Sequence, residues 1–342
     1  MKTIRLTILN LLIITTLWCQ ANEKTNQNSN AMEAATVAKA EKLKPGKNKI
    51  TFSSKGEKIV GDLYLPAGFN ENNTYPAVIV DGSWTTVKEQ MQSLYASSLA
   101  ENGFVALAFD HRYFGESGGQ PREYEDHESK VEDIQAALDY LETLEFVQKD
   151  QLAGLGICAS GAYMLEAASR DDRFKSMATV AAWLMTPETA KLFYGGDEGV
   201  GDRIAKATAA REKFESTKEA TYVSAYDPNN PEAAMFFPVD YYAKAERGAV
   251  ASWNNNFAVM SWDRWLTYDG IVSSKNIDIP VIMIHSEKAF LPDGVKAAYE
   301  NLSNPDKEAV WLNEFQHDEF YDNPEAISKA VKAIVSNFTK TL

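Results

Sequence analysis

Between residues 151 and 169 the chain passes from a short apolar strand pattern directly into an Ala- and Leu-rich helical one. Gly156-Ile157-Cys158-Ala159-Ser160-Gly161 forms the junction. A strand–turn–helix junction this tight presents one side chain at its tip and tolerates only small residues two positions to either side. Centred on Cys158, those positions are Gly156 and Ser160, with Gly161 next. Centred on Ser160, they are Cys158 and Ala162, with no glycine at either. The spacing selects Cys158 as the nucleophile at the tip. The alternative is a free cysteine packing as a small hydrophobe, and the matched pattern on both sides of the turn argues against it.

Around this junction, strand and helix signals alternate. Residues 49–54 and 58–65 form two early strand patterns, joined at Lys55-Gly56. Residues 77–80, 104–109, 176–182, 281–285 and 309–312 are further strands, several of them continuous apolar runs suited to burial on both faces. Residues 87–101, 131–144 and a final segment from 322 to 338 are helical, the last with Pro324 in its first turn, where a missing N–H costs nothing. This alternation predicts a mostly parallel sheet covered by helices on both faces. The segment from about 184 to 275 exceeds what a crossover needs and is dense in aromatics. It predicts a helical cap inserted over the carboxyl ends of the strands, where open α/β sheets bind ligands.

Residues 1–21 hold Lys2, Arg5 and an apolar run ending Cys19-Gln20-Ala21, the pattern of an export signal rather than a membrane span. Trp18 before Cys19 is too bulky for the usual lipoprotein cleavage, so soluble export is favoured over a lipid anchor. Residues 22–47 lack large apolar side chains and are expected to be a flexible tether. The domain is expected over 48–342. The formal charge of −14, less the two leader cations, becomes −16, which argues against nucleic acid or anionic membranes as partners. Outside the leader, Cys158 is the one cysteine, so no internal disulfide is possible. An unpaired thiol kept in an exported chain points to use. The oligomeric state stays open, a homodimer included.

The elbow, the insertion and a late histidine, in this order, resemble the α/β-hydrolase fold. Within it the chain is similar to a subgroup near dienelactone hydrolases, acetyl-xylan-esterase-like hydrolases and fungal polyketide acyltransferases. The similar stretches are Val87-Lys88-Glu89-Gln90, Phe109 to Arg122 (FDHRYFGESGGQPR), GICASG, Ser286 to Ala289 (SEKA) and His317 to Asp322 (HDEFYD). They span nearly the whole domain, and the elbow and histidine motifs are jointly fairly specific. The Gly-rich loop at 115–119 lacks the ending of a phosphate loop.

Near neutral pH a free thiol is mostly protonated. The N-terminus of the following helix favours its anion, so an accessible thiol of lowered pKa is expected. A histidine within reach can take and return the proton. Of the four histidines, His317 lies in a short loop between the last strand and the final helix, where the resemblance places the base. His285 ends a strand and is expected to be structural. His111 could line the cleft and bind substrate, with Trp84 and Tyr163, and His127 sits in an acidic run and is expected to be solvated. The four are too scattered for a zinc motif, and no metal or cofactor is expected.

The resemblance implies an acid about four residues after the strand at 281–285, but Ala289 stands there. Glu287, two residues earlier, fits the subgroup's pattern. Asp263, Asp318 or no conventional acid are the alternatives, since a thiol needs less help than a hydroxyl. The resemblance also implies an oxyanion hole from the N–H of Ala159 and a second N–H near Ser83 or Trp84. The expected function is a Cys-His(-Glu) acyl hydrolase working on a small ester, thioester or lactone through an acyl-enzyme. An acyltransferase using the same site, or a non-catalytic binding protein for a small ligand, are the alternatives.

Overall fold

A computed structural model describes residues 42–342; the leader and most of the tether lie outside the described residues. Lys44–Leu342 forms one compact unit around an eight-stranded sheet of order β1-β2-β4-β3-β5-β6-β9-β10. The strands are β1 (Gly46–Ser54), β2 (Glu57–Leu65), β3 (Tyr75–Asp81), β4 (Val105–Asp110), β5 (Val147–Ile157), β6 (Phe174–Val180), β9 (Val281–His285) and β10 (Glu308–Trp311); β7 (Tyr222–Ser224) and β8 (Asn256–Ala258) pair separately. β2 runs antiparallel to both β1 and β4, and every pairing from β4 onward to β10 is parallel. The strand at 281–285 has the bounds expected from sequence, and β1 opens at Gly46, three residues before the strand expected from 49.

The core sits between the sheet and helices α1 (Met91–Glu101), α2 (His127–Glu142), α3 (Ser160–Arg170), α8 (Pro292–Asn301) and α10 (Pro324–Thr341). Continuous apolar runs in β3, β4 and β9 are buried on both sides, as parallel strands between two helical layers must be. α2 is capped by Asp126, whose carboxylate accepts from the Ser129 N–H. α10 is capped by Asn323, followed by Pro324. Such caps satisfy first-turn donors that have no partner within the helix. The helix expected from 87 begins only at Met91. Residues 82–90 instead form a loop, because the Lys88 N–H and ammonium are both drawn to Asp110.

The insertion contributes α4 (Pro187–Phe193), α5 (Gly196–Thr217), α6 (Asp240–Ala243), α7 (Trp262–Leu266) and the antiparallel β7–β8 pair. It is tied to the sheet's loops: the Gln90 amide donates to the Gly248 carbonyl at 2.6 Å, and the Trp253 indole N–H to the Thr85 carbonyl at 2.9 Å. Among the described residues no helix is long and apolar enough to cross a membrane.

Candidate active site

β5 ends at Ile157, and α3 begins at Ser160. The two residues between make the turn, with Cys158 at φ 57°, a left-handed conformation that costs a residue bearing a Cβ. Two glycines make it possible. A Cβ on Gly156 would lie 2.2 Å from the Ser160 carbonyl oxygen, and one on Gly161 would lie 2.6 Å from the Ala182 Cβ. The Cys158 N–H donates to the Val180 carbonyl at 3.0 Å, and its carbonyl accepts from Trp183 at 2.8 Å. The backbone is thus held by the end of β6 and by the segment that follows it. Ser160 is wholly buried within α3, so the cysteine and not the serine occupies the tip.

His317 follows β10 and brings Nε2 to 3.5 Å from the Cys158 sulfur. Both side chains are nearly inaccessible. Burial pushes the thiol above its ordinary value, although the Ser83 and Tyr321 hydroxyls and the N–H groups of Ala159 and Trp84 beside the sulfur pull the other way. The thiol of lowered pKa expected from the helix N-terminus is therefore not found; desolvation outweighs the dipole. Burial, together with nearby His285, pulls His317 down to about 3, so its ring is neutral at physiological pH.

The expected carboxylate partner is absent from this pair. Glu287 is half exposed and paired with Lys296 at 2.9 Å, while its N–H donates to the Asn313 side chain. Its backbone leaves the strand towards solvent, and the side chain follows the nearest cation. Asp263 is held by Arg211 at 2.7 Å and Asp318 by Arg247 at 3.0 Å. In their place the Phe290 backbone N–H donates to His317 Nδ1 at 3.3 Å. A neutral ring accepting at Nδ1 carries its proton on Nε2.

The loop after β3 places Ser83 and Trp84 over the elbow. Asp81 accepts from the Gly82 N–H at 2.9 Å, Thr85 donates to Glu125 at 3.1 Å, and Thr86 Oγ1 donates to the Ser83 carbonyl at 2.6 Å. The Ala159 and Trp84 N–H groups consequently face the sulfur together. The Trp84 ring stacks on Trp265, centroids 4.4 Å apart, and lines the cavity.

Two expected substrate contacts lie elsewhere. His111 is buried outside the cavity lining, with Nε2 at 2.9 Å from Asp81 and Nδ1 at 3.4 Å from Asp133. Burial opposes its charge, but these carboxylates more than offset that and raise its pKa. Tyr163 points from α3 into the same buried polar layer and donates to Glu125 at 2.9 Å. The layer draws both side chains away because its buried carboxylates, Asp81, Asp133 and Glu125, have several acceptor sites to satisfy, and His111 and Tyr163 supply donors to them. His127 is not solvated as expected: its ring stacks on Tyr268, centroids 4.2 Å apart, and meets Glu166 at 3.3 Å. His285 is buried at its strand end, as expected, and neither ring nitrogen has a hydrogen-bond partner among the described residues.

The cavity over Cys158 has a volume of about 30 Å³, room for little more than a water molecule. Cap residues Tyr194, Met235, Phe237, Tyr242 and Trp265 close it, and Trp183, Phe290 and Tyr321 complete its wall. Trp183 lies parallel to Phe237 at 6.0 Å and edge-on to His317 at 6.3 Å. Sequence reasoning gave a general role to the cap aromatics but missed Trp183, Phe290 and Tyr321. Tyr321 was findable inside the HDEFYD stretch. Among the described residues, no group of His, Cys, Asp and Glu side chains is arranged to hold a metal ion.

A mostly parallel sheet of this order, with an elbow after its fifth strand and a histidine after its last, defines an α/β hydrolase. The chain matches the family described as X-Pro dipeptidyl-peptidase (S15 family) over residues 55–319 and belongs to it. It is 31% identical over 304 residues to uncharacterized protein PA2218 of Pseudomonas aeruginosa, covering 82% of this chain and 77% of that one. The crystal structure of that hypothetical protein superposes with a TM-score of 0.76 at 28% identity, covering 88% of this chain and 95% of the other. Shorter matches join it to a thiohydrolase of Eupenicillium brefeldianum (37% over 98 residues; 29% of this chain, 32% of that one) and to acyltransferase drtE of Aspergillus calidoustus (29% over 162 residues; 46% and 49%).

Proposed function

We propose that this α/β hydrolase cleaves a neutral, apolar acyl ester or thioester through an acyl-enzyme on Cys158. The observation that carries this reading is the Cys158–His317 contact at 3.5 Å at the floor of a cavity walled by aromatics. The sulfur attacks the acyl carbon. The N–H groups of Ala159 and Trp84, which face the sulfur, donate to the carbonyl oxygen as negative charge develops on it, the kind of stabilisation that dominates acyl transfer. His317 adds a third donor through Nε2. Water then releases the acyl group. No lining residue carries a fixed charge, so nothing in the cavity would compensate a buried carboxylate or ammonium on the substrate. For that reason the family's peptidase description does not carry over: an aminopeptidase must bind a free amine. Acyl transfer is the second reading, supported by the mostly apolar wall, which suits an organic acceptor, and by the acyltransferase match.

The test is a panel of purified-enzyme assays with 4-nitrophenyl butyrate, a butyryl thioester, the corresponding succinyl (charged) ester and an Xaa-Pro anilide. The neutral ester and thioester should turn over, and Cys158→Ala should abolish it. Preference for the anilide or the charged acyl group would overturn the proposal.

A further inference from the structure

At about 30 Å³, the cavity over Cys158 admits no acyl group until part of its wall moves. One side of that wall is a single layer of side chains. Val239, Phe290 and His317 line the cavity, and the same three residues line an outer pocket of about 430 Å³, a volume within the usual range for a bound small molecule. The rest of the outer pocket is largely polar, with Asp240 and Arg247 of the cap, Lys288, and residues 316–319 at the start of the short helix α9 (Glu319–Asp322). The pocket beside Trp253 and the groove between α1 and α10 share no lining residue with the cavity.

Of the three shared residues, His317 is held by the Phe290 N–H and by the sulfur, and Val239 is short. The Phe290 side chain is the one large enough to close the opening and free enough to clear it. Its half-buried ring lies 5.3 Å from the Trp183 ring, 5.3 Å from Phe237 and 5.0 Å from His317. A phenyl ring makes no conventional hydrogen bond, so packing alone keeps it there. The backbone beneath it is fixed and strained. Leu291 has φ 55°, rare for a bulky residue, and the ring of Pro292 restricts it further. Strain of this kind persists where the surrounding structure holds a segment for function, and here it sets where the Phe290 side chain enters the wall.

Resting on the acyl-enzyme reading above, we propose that Phe290 is the gate that sets which acyl groups reach Cys158. Its ring swings into the outer pocket and joins the two spaces into one channel, and an apolar acyl chain takes the ring's place against Trp183 and Phe237. The main chain need not move, so the Phe290 N–H stays on His317 and the site keeps its geometry while it opens. The incoming chain recovers the apolar contacts that the ring gives up, so a substrate that fills the vacated space shifts the gate towards its open form. An acetyl group is too short to do so.

Access is read without any substrate, from the rate at which iodoacetamide alkylates Cys158, followed by peptide mass spectrometry. Phe290→Ala removes the ring and keeps the main-chain N–H. A site open for about a tenth of the time or less reacts at least about tenfold more slowly than one always open, so alkylation should rise by about that factor or more in Phe290→Ala. Phe290→Leu, a milder change, should give a smaller rise. Met235→Ala enlarges the same cavity, and wets the thiol, from a buried position that does not reach the outer pocket. It should alkylate within about threefold of the parent, because the open fraction is unchanged. No rise in either Phe290 variant, or an equal rise in Met235→Ala, would overturn the proposal. In turnover, kcat/KM for 4-nitrophenyl octanoate relative to the acetate should rise about tenfold in Phe290→Ala, the scale on which apolar space discriminates chain length. An unchanged ratio would overturn the gate's part in selectivity. If instead Cys158→Ala retains turnover, the acyl-enzyme reading has failed, a different result from a failure of the alkylation series.

Discussion

The main-chain N–H of Phe290 donates to Nδ1 of His317 across 3.3 Å, where the resemblance led us to expect the carboxylate of Glu287. A backbone dipole orients the ring as a carboxylate would, yet it stabilises the neutral ring instead of the cation. Glu287→Gln should consequently leave turnover within about twofold of the parent, since it breaks only an exposed ion pair with Lys296. His317→Ala should lower kcat by about a hundredfold or more, as loss of a donor aimed at the reacting atoms does. Steady-state kinetics on one neutral aryl ester decides both. A large loss in Glu287→Gln would show that the carboxylate reaches His317 during turnover.

The Cys158 thiol, raised by burial, should alkylate with iodoacetamide at a rate that keeps climbing past the pKa of free cysteine, about 8.5. His317, pulled down to about 3, should add no inflection near pH 6.5. A rate plateau below pH 8 would mean that the sulfur is stabilised as a thiolate, and an inflection near 6.5 would mean that His317 ionises as a solvated histidine does.

Stability should fall on the acid side for a defined reason. His285 and His317 have folded-state values of about 4 and about 3, below the ordinary 6.5. As pH drops below about 6.5 the unfolded chain binds protons that the folded chain does not, and stability declines down to about pH 3. Each unit of separation is worth about 1.4 kcal/mol, so the midpoint of thermal unfolding should drop clearly between pH 7 and 5. His111, whose value is raised, works in the opposite direction: its contribution is present at low pH and lost as pH climbs through its folded value. His285→Leu should flatten the acid decline. An unchanged slope in that variant would exclude His285 as a source.

The elbow was legible because its steric demand is local: Gly156, Gly161 and the strand–helix switch are all within a few residues of Cys158. β9 and the capped final helix were legible for the same reason. The partner of His317 was not, because a main-chain N–H leaves no mark in a sequence and any residue at 290 supplies one. His111 and Tyr163 were misplaced for a different reason. Their position after a strand or in the elbow helix is right for a cleft, but Asp81, Asp133 and Glu125, distant in sequence, draw them into the buried layer. Trp183 escaped notice because its strand, expected to run to 182, ends at Val180 and releases it into the cavity wall.

The central claim is that chemistry passes through a covalent acyl group on Cys158. Rapid quenching in acid during turnover of 4-nitrophenyl butyrate, followed by peptide mass spectrometry, tests it most directly. The account predicts a butyryl mass on the peptide containing Cys158, removable by hydroxylamine as a thioester is, and no adduct in Cys158→Ala. An acyl group found on Ser160 or any other residue, or full turnover by Cys158→Ala, would contradict it.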